Sequence, residues 1–187
     1  AKWPLFGHGK VSSKDWWQEV VRCTFTRCRC KWVEDDMKFS KAFNEIYRTF
    51  QTTEAYHIYD DTLAFLRWSL RNGASVAIVS NTTESYRDAI LPALGIAEMV
   101  HFGVYSKIDG VKKPGSAFEL LLARGRQQLP GLKASQVLHI GNDPRKDFEG
   151  AVAAGMQAFL LDREHGGSLD MVRSRLERTH WQWVEGS

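Results

Sequence analysis

The run Ser75-Val76-Ala77-Ile78-Val79, followed at once by Ser80-Asn81-Thr82-Thr83, decides the fold. It is short, apolar and β-branched, as expected of a strand covered on both faces, and it ends abruptly in polar residues. Upstream, Asp60 to Asn72 reads as a helix with Gly73 suited to its C-terminal cap. Downstream the alternation continues with a helix from Glu84 towards Leu94, an apolar segment at Phe102 to Tyr105 and a helix from Ser116 to Arg126. A strand at Val137 to Ile140, a turn at Gly141-Asn142-Asp143-Pro144, a helix over Phe148 to Ala154 and a strand at Gln157 to Leu161 complete it. Such alternation predicts an α/β chain, a Rossmann-like doubly wound parallel sheet. Ser168 to Trp183 reads as a closing helix.

The first 55 or so residues have a different rhythm. Ser12, Ser13, Lys14 and Asp15 resemble a capping box, and Trp16, Trp17, Val20, Val21 and Phe25 supply an apolar face. Glu34, Asp35 and Asp36 then open a second helix, whose apolar positions are Met37, Phe39, Phe43, Ile46, Tyr47 and Phe50. We therefore expect a helical part at 1–56 and a Rossmann-like core at 57–187.

Composition narrows the class. With 43% hydrophobic residues in 187, the chain can bury a substantial core, which excludes collagen-like and disordered readings. A net charge of +3, scattered along the chain, argues against a nucleic-acid partner. No run approaches the roughly 18 apolar residues of a membrane span, and the opening residues lack the core of a signal peptide. The expectation is a soluble, intracellular protein, cytoplasmic by default, with no membrane partner. Cys23, Cys28 and Cys30 are crowded together and read as reduced thiols, because no further ligands complete a zinc site nearby. The initial Ala1 suggests a processed or partial chain.

Ligands of a parallel α/β sheet bind beyond the carboxyl ends of its strands, so the polar residues there come first. Ser80-Asn81-Thr82 could hold an anionic oxygen, although a capped helix start explains the same residues. In Val111-Lys112-Lys113-Pro114 a lysine is fixed just before a helix, where a solvated surface lysine is the ordinary alternative. His139-Ile140-Gly141-Asn142-Asp143-Pro144-Arg145-Lys146-Asp147 sets carboxylates four residues apart, oxygen donors of the kind that suit Mg²⁺. Gly7-His8-Gly9-Lys10 lacks the spacing of a phosphate loop, and the scattered histidines His8, His57, His101, His139 and His180 read as packing or surface residues. There is no Gly-x-Ser-x-Gly nucleophile elbow.

Taken in order, the clusters Ser80-Asn81, Lys113-Pro114 and Gly141-Asn142-Asp143 with Asp147 resemble the second, third and fourth motifs of the haloacid dehalogenase superfamily. Asp147 to Met156 is similar to the stretch that follows the fourth motif in many members, and Phe6-Gly7-His8-Gly9 with Trp16-Trp17 and Val20-Val21 resembles the inserted helical cap of one subgroup. The resemblance implies a phosphatase-type hydrolase acting on a small phosphorylated metabolite, in which an aspartate attacks the substrate and forms a covalent intermediate. It implies that Ser80 binds the transferring group and that Lys113 offsets negative charge. Asn81 and Thr82 would lie at the substrate, and Asp143, Asp147 and Asn142 would hold Mg²⁺.

Two departures stand out. Many members carry an aspartate where this chain has Asn142, which implies weaker Mg²⁺ binding. The first motif, a strand ending in Asp-x-Asp-x-Thr, has no match. Asp60-Asp61-Thr62-Leu63 imitates it but has adjacent carboxylates and reads as a helix N-terminus. The resemblance puts that missing strand in mid-sheet, so the chain is expected to be inactive by itself and to have open strand edges available for pairing with another chain. A catalytically silent interaction protein is the alternative.

Overall fold

The computed structural model describes residues 2–179. In chain order its main elements are α1 (Ser13–Arg27), α2 (Asp36–Thr49), α3 (Asp60–Arg71), β1 (Ala77–Ser80), α4 (Leu91–Ala93), β2 (Phe102–Tyr105), α5 (Ser106–Asp109), α6 (Ser116–Gln128), β3 (Leu138–Gly141), α7 (Gly150–Ala153), β4 (Gln157–Leu160) and α8 (Leu169–Arg178). The closing helix thus runs over Leu169–Arg178, and the expected extension to Trp183, like His180, lies outside the described residues. No helix of the described residues is long and apolar enough to cross a membrane. The chain forms two compact units, one of residues 1–57, 81–97 and 105–110, the other of 58–80, 98–104 and 111–187. The first therefore extends beyond 1–56 and takes in the segments that follow β1 and β2.

In the first unit α1 and α2 bury Val21, Val33, Phe39 and Phe43, with Trp17, Phe25, Trp32 and Ile46 packed around them. At the start of α1 the Ser12 hydroxyl accepts the Asp15 N–H at 3.1 Å. The return half of the box differs from expectation, because the same hydroxyl donates to the Asp15 carboxylate at 2.6 Å. Asp35 caps α2 by accepting the Met37 and Lys38 N–H groups. Met37 itself is 83% exposed and leaves the expected apolar face. It precedes fully buried Phe39 by two positions, about 200° around a helix. Lys107 explains the glycine-rich opening: its ammonium donates to the carbonyls of Gly7 and Val11, and its own carbonyl meets His8 Nδ1 at 2.7 Å.

In the second unit β3 and β4 pair in parallel, with Leu138 opposite Gln157 and Gly141 opposite Leu160. Side chains alternate across this sheet. Leu138, Ile140, Phe159 and Leu161 face a core made by α3 and α8, with Phe65, Trp68, Val172 and Leu176. Val137 and Ala158 face a second core made by α6 and α7, with Phe118, Leu121, Leu122 and Ala151. Helices on both faces of a parallel sheet make this an α/β, Rossmann-like fold. β1 pairs with β2, but the sheet divides: among the described residues β1–β2 and β3–β4 are separate pairs. Asp60 opens α3, as its sequence suggests, and Gly73 follows that helix at φ +78°, a left-handed conformation that costs glycine little. Asp61, half-buried, pairs with Arg163.

Candidate active site

The centre of the second unit's site is Asp147, 4% exposed in the wide helical turn that follows β3. Lys113 Nζ reaches its Oδ1 at 2.5 Å, His139 Nε2 lies 3.1 Å from the same oxygen, and the Asp143 N–H donates to Oδ2 at 3.0 Å. Burial alone would raise this carboxyl's pKa; the hydrogen bonds from His139, Lys113 and the Asp143 amide outweigh it and hold the group well below the usual carboxylate range.

Local sequence explains how the parts meet. Lys113 precedes Pro114 across a cis peptide bond, directly ahead of α6. Gly150, in the helix after Asp147, lets that helix approach the proline: a Cβ there would lie 2.8 Å from the Pro114 side chain. At the end of β3, Gly141 leaves the space that the Asp147 side chain fills, and any Cβ at that position would collide with it.

The predicted residues separate into groups. Lys113 and Asp147 are in direct contact. Ser80, half-buried, is the last residue of β1 in the same unit. Asp143 turns its carboxylate the other way, accepting the Arg145 and Lys146 N–H groups and the Lys146 ammonium, which hold its pKa down. It is the N-cap of the helix that opens with Pro144, and an aspartate followed by a proline is itself a signal for that role. Asn142 is exposed beside it. Asn81 and Thr82 belong to the first unit, where Asn81 Oδ1 accepts from the Ser106 hydroxyl at 3.0 Å and Thr82 O accepts the Lys107 N–H. The buried Thr82 hydroxyl has no hydrogen-bond partner there.

His139, read from the sequence as a packing or surface residue, is the further side chain that the structure brings to Asp147. As a lone histidine in an apolar strand it looks like core filling, and its ring does meet Phe118 edge-on at 4.9 Å. The strand period was the available signal, because it carries His139 and Gly141 onto the same face of β3. Among the described residues no group of three or more acidic, histidine or cysteine side chains is clustered to hold a metal ion. The donor types around Asp147 suit a hard cation, but they do not complete its shell.

A parallel α/β unit with a lysine–aspartate pair beyond its strand ends fits the class of haloacid dehalogenase-like hydrolases. The model of that family, haloacid dehalogenase-like hydrolase, matches residues 8–155, and the chain belongs to it. Among curated proteins it is similar to haloacid dehalogenase-like hydrolase domain-containing protein 3 of Danio rerio, at 30% identity over 87% of this chain and 64% of that protein. The Bos taurus counterpart is 29% identical over 83% and 58%. The chain thus spans about three-fifths of the length of these relatives. A shorter match, 27% identical over 61% of this chain and 44% of the relative, is to phosphoserine phosphatase of Thermus thermophilus. Among solved structures, 2-haloacid dehalogenase from Pseudomonas syringae pv. Tomato DC3000 superposes with a TM-score of 0.63 at 19% identity, covering 94% of this chain and 75% of that one. At that identity the likeness is one of fold.

Proposed function

We propose that residues 1–187 supply the lysine–aspartate half of a phosphatase-type active site that acts on a small phosphorylated metabolite. The observation that carries the reading is the buried Lys113–Asp147 pair, joined by His139, at the carboxyl end of β3. In this reading Asp147 holds the Lys113 ammonium in place, and Lys113 offsets the charge that grows on the phosphoryl oxygens as they are transferred. The Ser80 hydroxyl donates to one of those oxygens. In this reading one carboxylate from outside residues 1–187 attacks phosphorus as the bond to the substrate's oxygen breaks, a second carboxyl of the same segment gives that oxygen its proton, and the resulting carboxylate takes a proton back from the water that releases phosphate from the aspartyl intermediate. Mg²⁺, held by oxygens of Asp147, Asn142 and Asp143, would supply charge neutralisation when bound. Since Asp147 is already paired and Asp143 serves as a cap, further ligands must come from elsewhere. The family membership and the phosphatase among the similar proteins support this reading.

The test compares the 187-residue chain with a longer polypeptide in which a strand ending in Asp-x-Asp-x-Thr precedes it, assaying phosphate release from an aryl phosphate with Mg²⁺. The longer form is expected to turn over and the 187-residue chain not to. Lys113→Met in the longer form should lower kcat about 100-fold or more, the scale for removing a group that stabilises transition-state charge. No turnover by the longer form would remove the proposal.

A further inference from the structure

The turn that ends α1 reads Arg27-Cys28-Arg29-Cys30-Lys31, two thiols alternating with three cations. Cys28 is the C-cap of the helix, and Arg29 takes the left-handed conformation, φ +57°, that glycine usually supplies there. The Arg29 and Cys30 N–H groups donate back to the Thr26 and Phe25 carbonyls at 2.9 and 3.0 Å and close the turn. This gives the two thiols different surroundings. Cys28 is exposed, whereas Cys30 is half-buried and packs against the core of α1 and α2. The same turn folds Cys30 back, so that its thiol donates to the Cys28 carbonyl at 3.9 Å. Arg22, nearby in α1, is paired with Asp36. Arg27, Arg29 and Lys31 are all exposed, and among the described residues no carboxylate pairs with them. Cys23 offers a contrast within the same helix: it too is exposed, but its thiol donates to the Glu19 carboxylate at 3.7 Å. An anionic reagent therefore meets unpaired cations at Cys28 and a carboxylate at Cys23.

We infer that Cys28 and Cys30 form a thiol–disulfide exchange pair for a small anionic disulfide of the glutathione type, with Cys28 as the attacking thiol and Cys30 as the resolving one. Cys28 gives its proton to water and attacks one sulfur of glutathione disulfide. The bond between the two glutathione sulfurs breaks, and one glutathione leaves as a thiolate that takes up a proton. Cys30 then gives up its proton and attacks the Cys28 sulfur of the mixed disulfide. The second glutathione leaves and is protonated in turn, and a Cys28–Cys30 disulfide remains. Two protein thiols are oxidised and one glutathione disulfide is reduced to two thiols, so sulfurs, electrons and protons balance. Exposure puts Cys28 first in this order, and the fold of the turn, which returns Cys30 to residue 28, puts Cys30 second. The carboxylates of glutathione are the groups that Arg27, Arg29 and Lys31 attract. The inference goes beyond the phosphatase reading and rests on no part of it.

The test incubates the reduced 187-residue chain with glutathione disulfide, alkylates the remaining thiols at intervals and maps each cysteine by peptide mass. The unaltered chain should pass through a glutathione adduct on Cys28 to a Cys28–Cys30 disulfide within one chain, while Cys23 stays reduced. Cys30→Ser should stop at the Cys28 adduct, and Cys28→Ser should give neither product over the same interval. Replacing Arg27 and Lys31 together by Gln, with Arg29 left in its turn, should slow the first step about fivefold at low salt. The same variant should react no more slowly than the unaltered chain with cystamine, a cationic disulfide. Modification of Cys23 as fast as Cys28, or of Cys30 in Cys28→Ser, would overturn the inference. So would an adduct that never closes, a disulfide joining two chains, no reaction at all, or a loss of rate in the charge variant that is equal for both disulfides.

Discussion

Two aspartates in the same α/β unit, half-buried Asp61 at the start of α3 and buried Asp147 after β3, meet their cations in different ways. Asp61 receives both arms of the Arg163 guanidinium, at 2.6 and 2.8 Å, and the Leu169 N–H at 2.7 Å. Arg163 also lies over the Tyr59 ring, 4.3 Å from its centre. Fork-to-fork geometry of this kind ties the segment after β4 and the start of α8 to α3 and leaves neither ion free to serve anything else. Asp147 is bound instead by a lysine, a compact charge on a flexible stem, and shares that oxygen with His139. Lys113 also lines a cavity beside β1 and β3. The lesson is that a depressed pKa does not by itself mark a site, since both carboxyls have one. What marks Asp147 is an exchangeable partner facing a cavity.

The contrast can be broken by cutting each pair from its cationic side. Arg163→Met should be the more damaging change, costing about 3 kcal/mol in a urea unfolding experiment because it leaves a half-buried carboxylate without its bidentate partner. Lys113→Met should cost about 1 to 3 kcal/mol, because His139 and the Asp143 amide still hold Asp147. Adding Asp147→Asn to Lys113→Met should recover part of that loss by removing the stranded charge. Equal costs for the two methionine variants would erase the distinction between a structural lock and a loosely held site.

These pairs also show what a sequence can disclose. Lys113 and Asp147 were legible because each follows an apolar run in an α/β alternation, where strand ends collect polar groups. Asp60-Asp61 was legible as a helix start, but Arg163 as its partner was not, since 102 residues separate them and no local pattern links the two. The Rossmann-like architecture was readable from strand length and branching. The division of the sheet into β1–β2 and β3–β4 follows from pairing partners, which periodicity does not encode. His139 was hidden by its apolar neighbours, and Met37 was misplaced because its register opposite Phe39 outweighed its hydrophobicity.

The comparison sharpens further at Gly141. Asp147 fills the volume where a side chain at 141 would begin, so Gly141→Ala must push the carboxylate away from Lys113. The expected cost is about 1 to 2 kcal/mol, an overpacking penalty in a tight site. If the proposed activity holds for the longer polypeptide, the same change there should lower kcat more than it raises KM, because it moves a positioning group. A stability loss with unchanged kcat would show that Asp147 need not stand where it does.

The smallest effect is the acid limb of the Asp61 pair, which is silent at neutral pH. The Arg163 side chain, opposed by burial and helped by the Leu169 amide, lowers the Asp61 pKa below its ordinary 3.8. Near and below pH 3.8 the unfolded chain therefore binds a proton that the folded chain refuses, and stability must rise with pH across that window. The pair's contribution is fully present above the unfolded value and is lost as pH falls through the lowered folded one. Asp61→Asn should flatten this part of the stability curve, measured by urea unfolding from pH 5 to pH 2.5, while shifting the neutral plateau downward. A curve with an unchanged acid slope would mean that Asp61 titrates normally, and its bidentate lock on Arg163 would then be no tighter than the lysine's hold on Asp147.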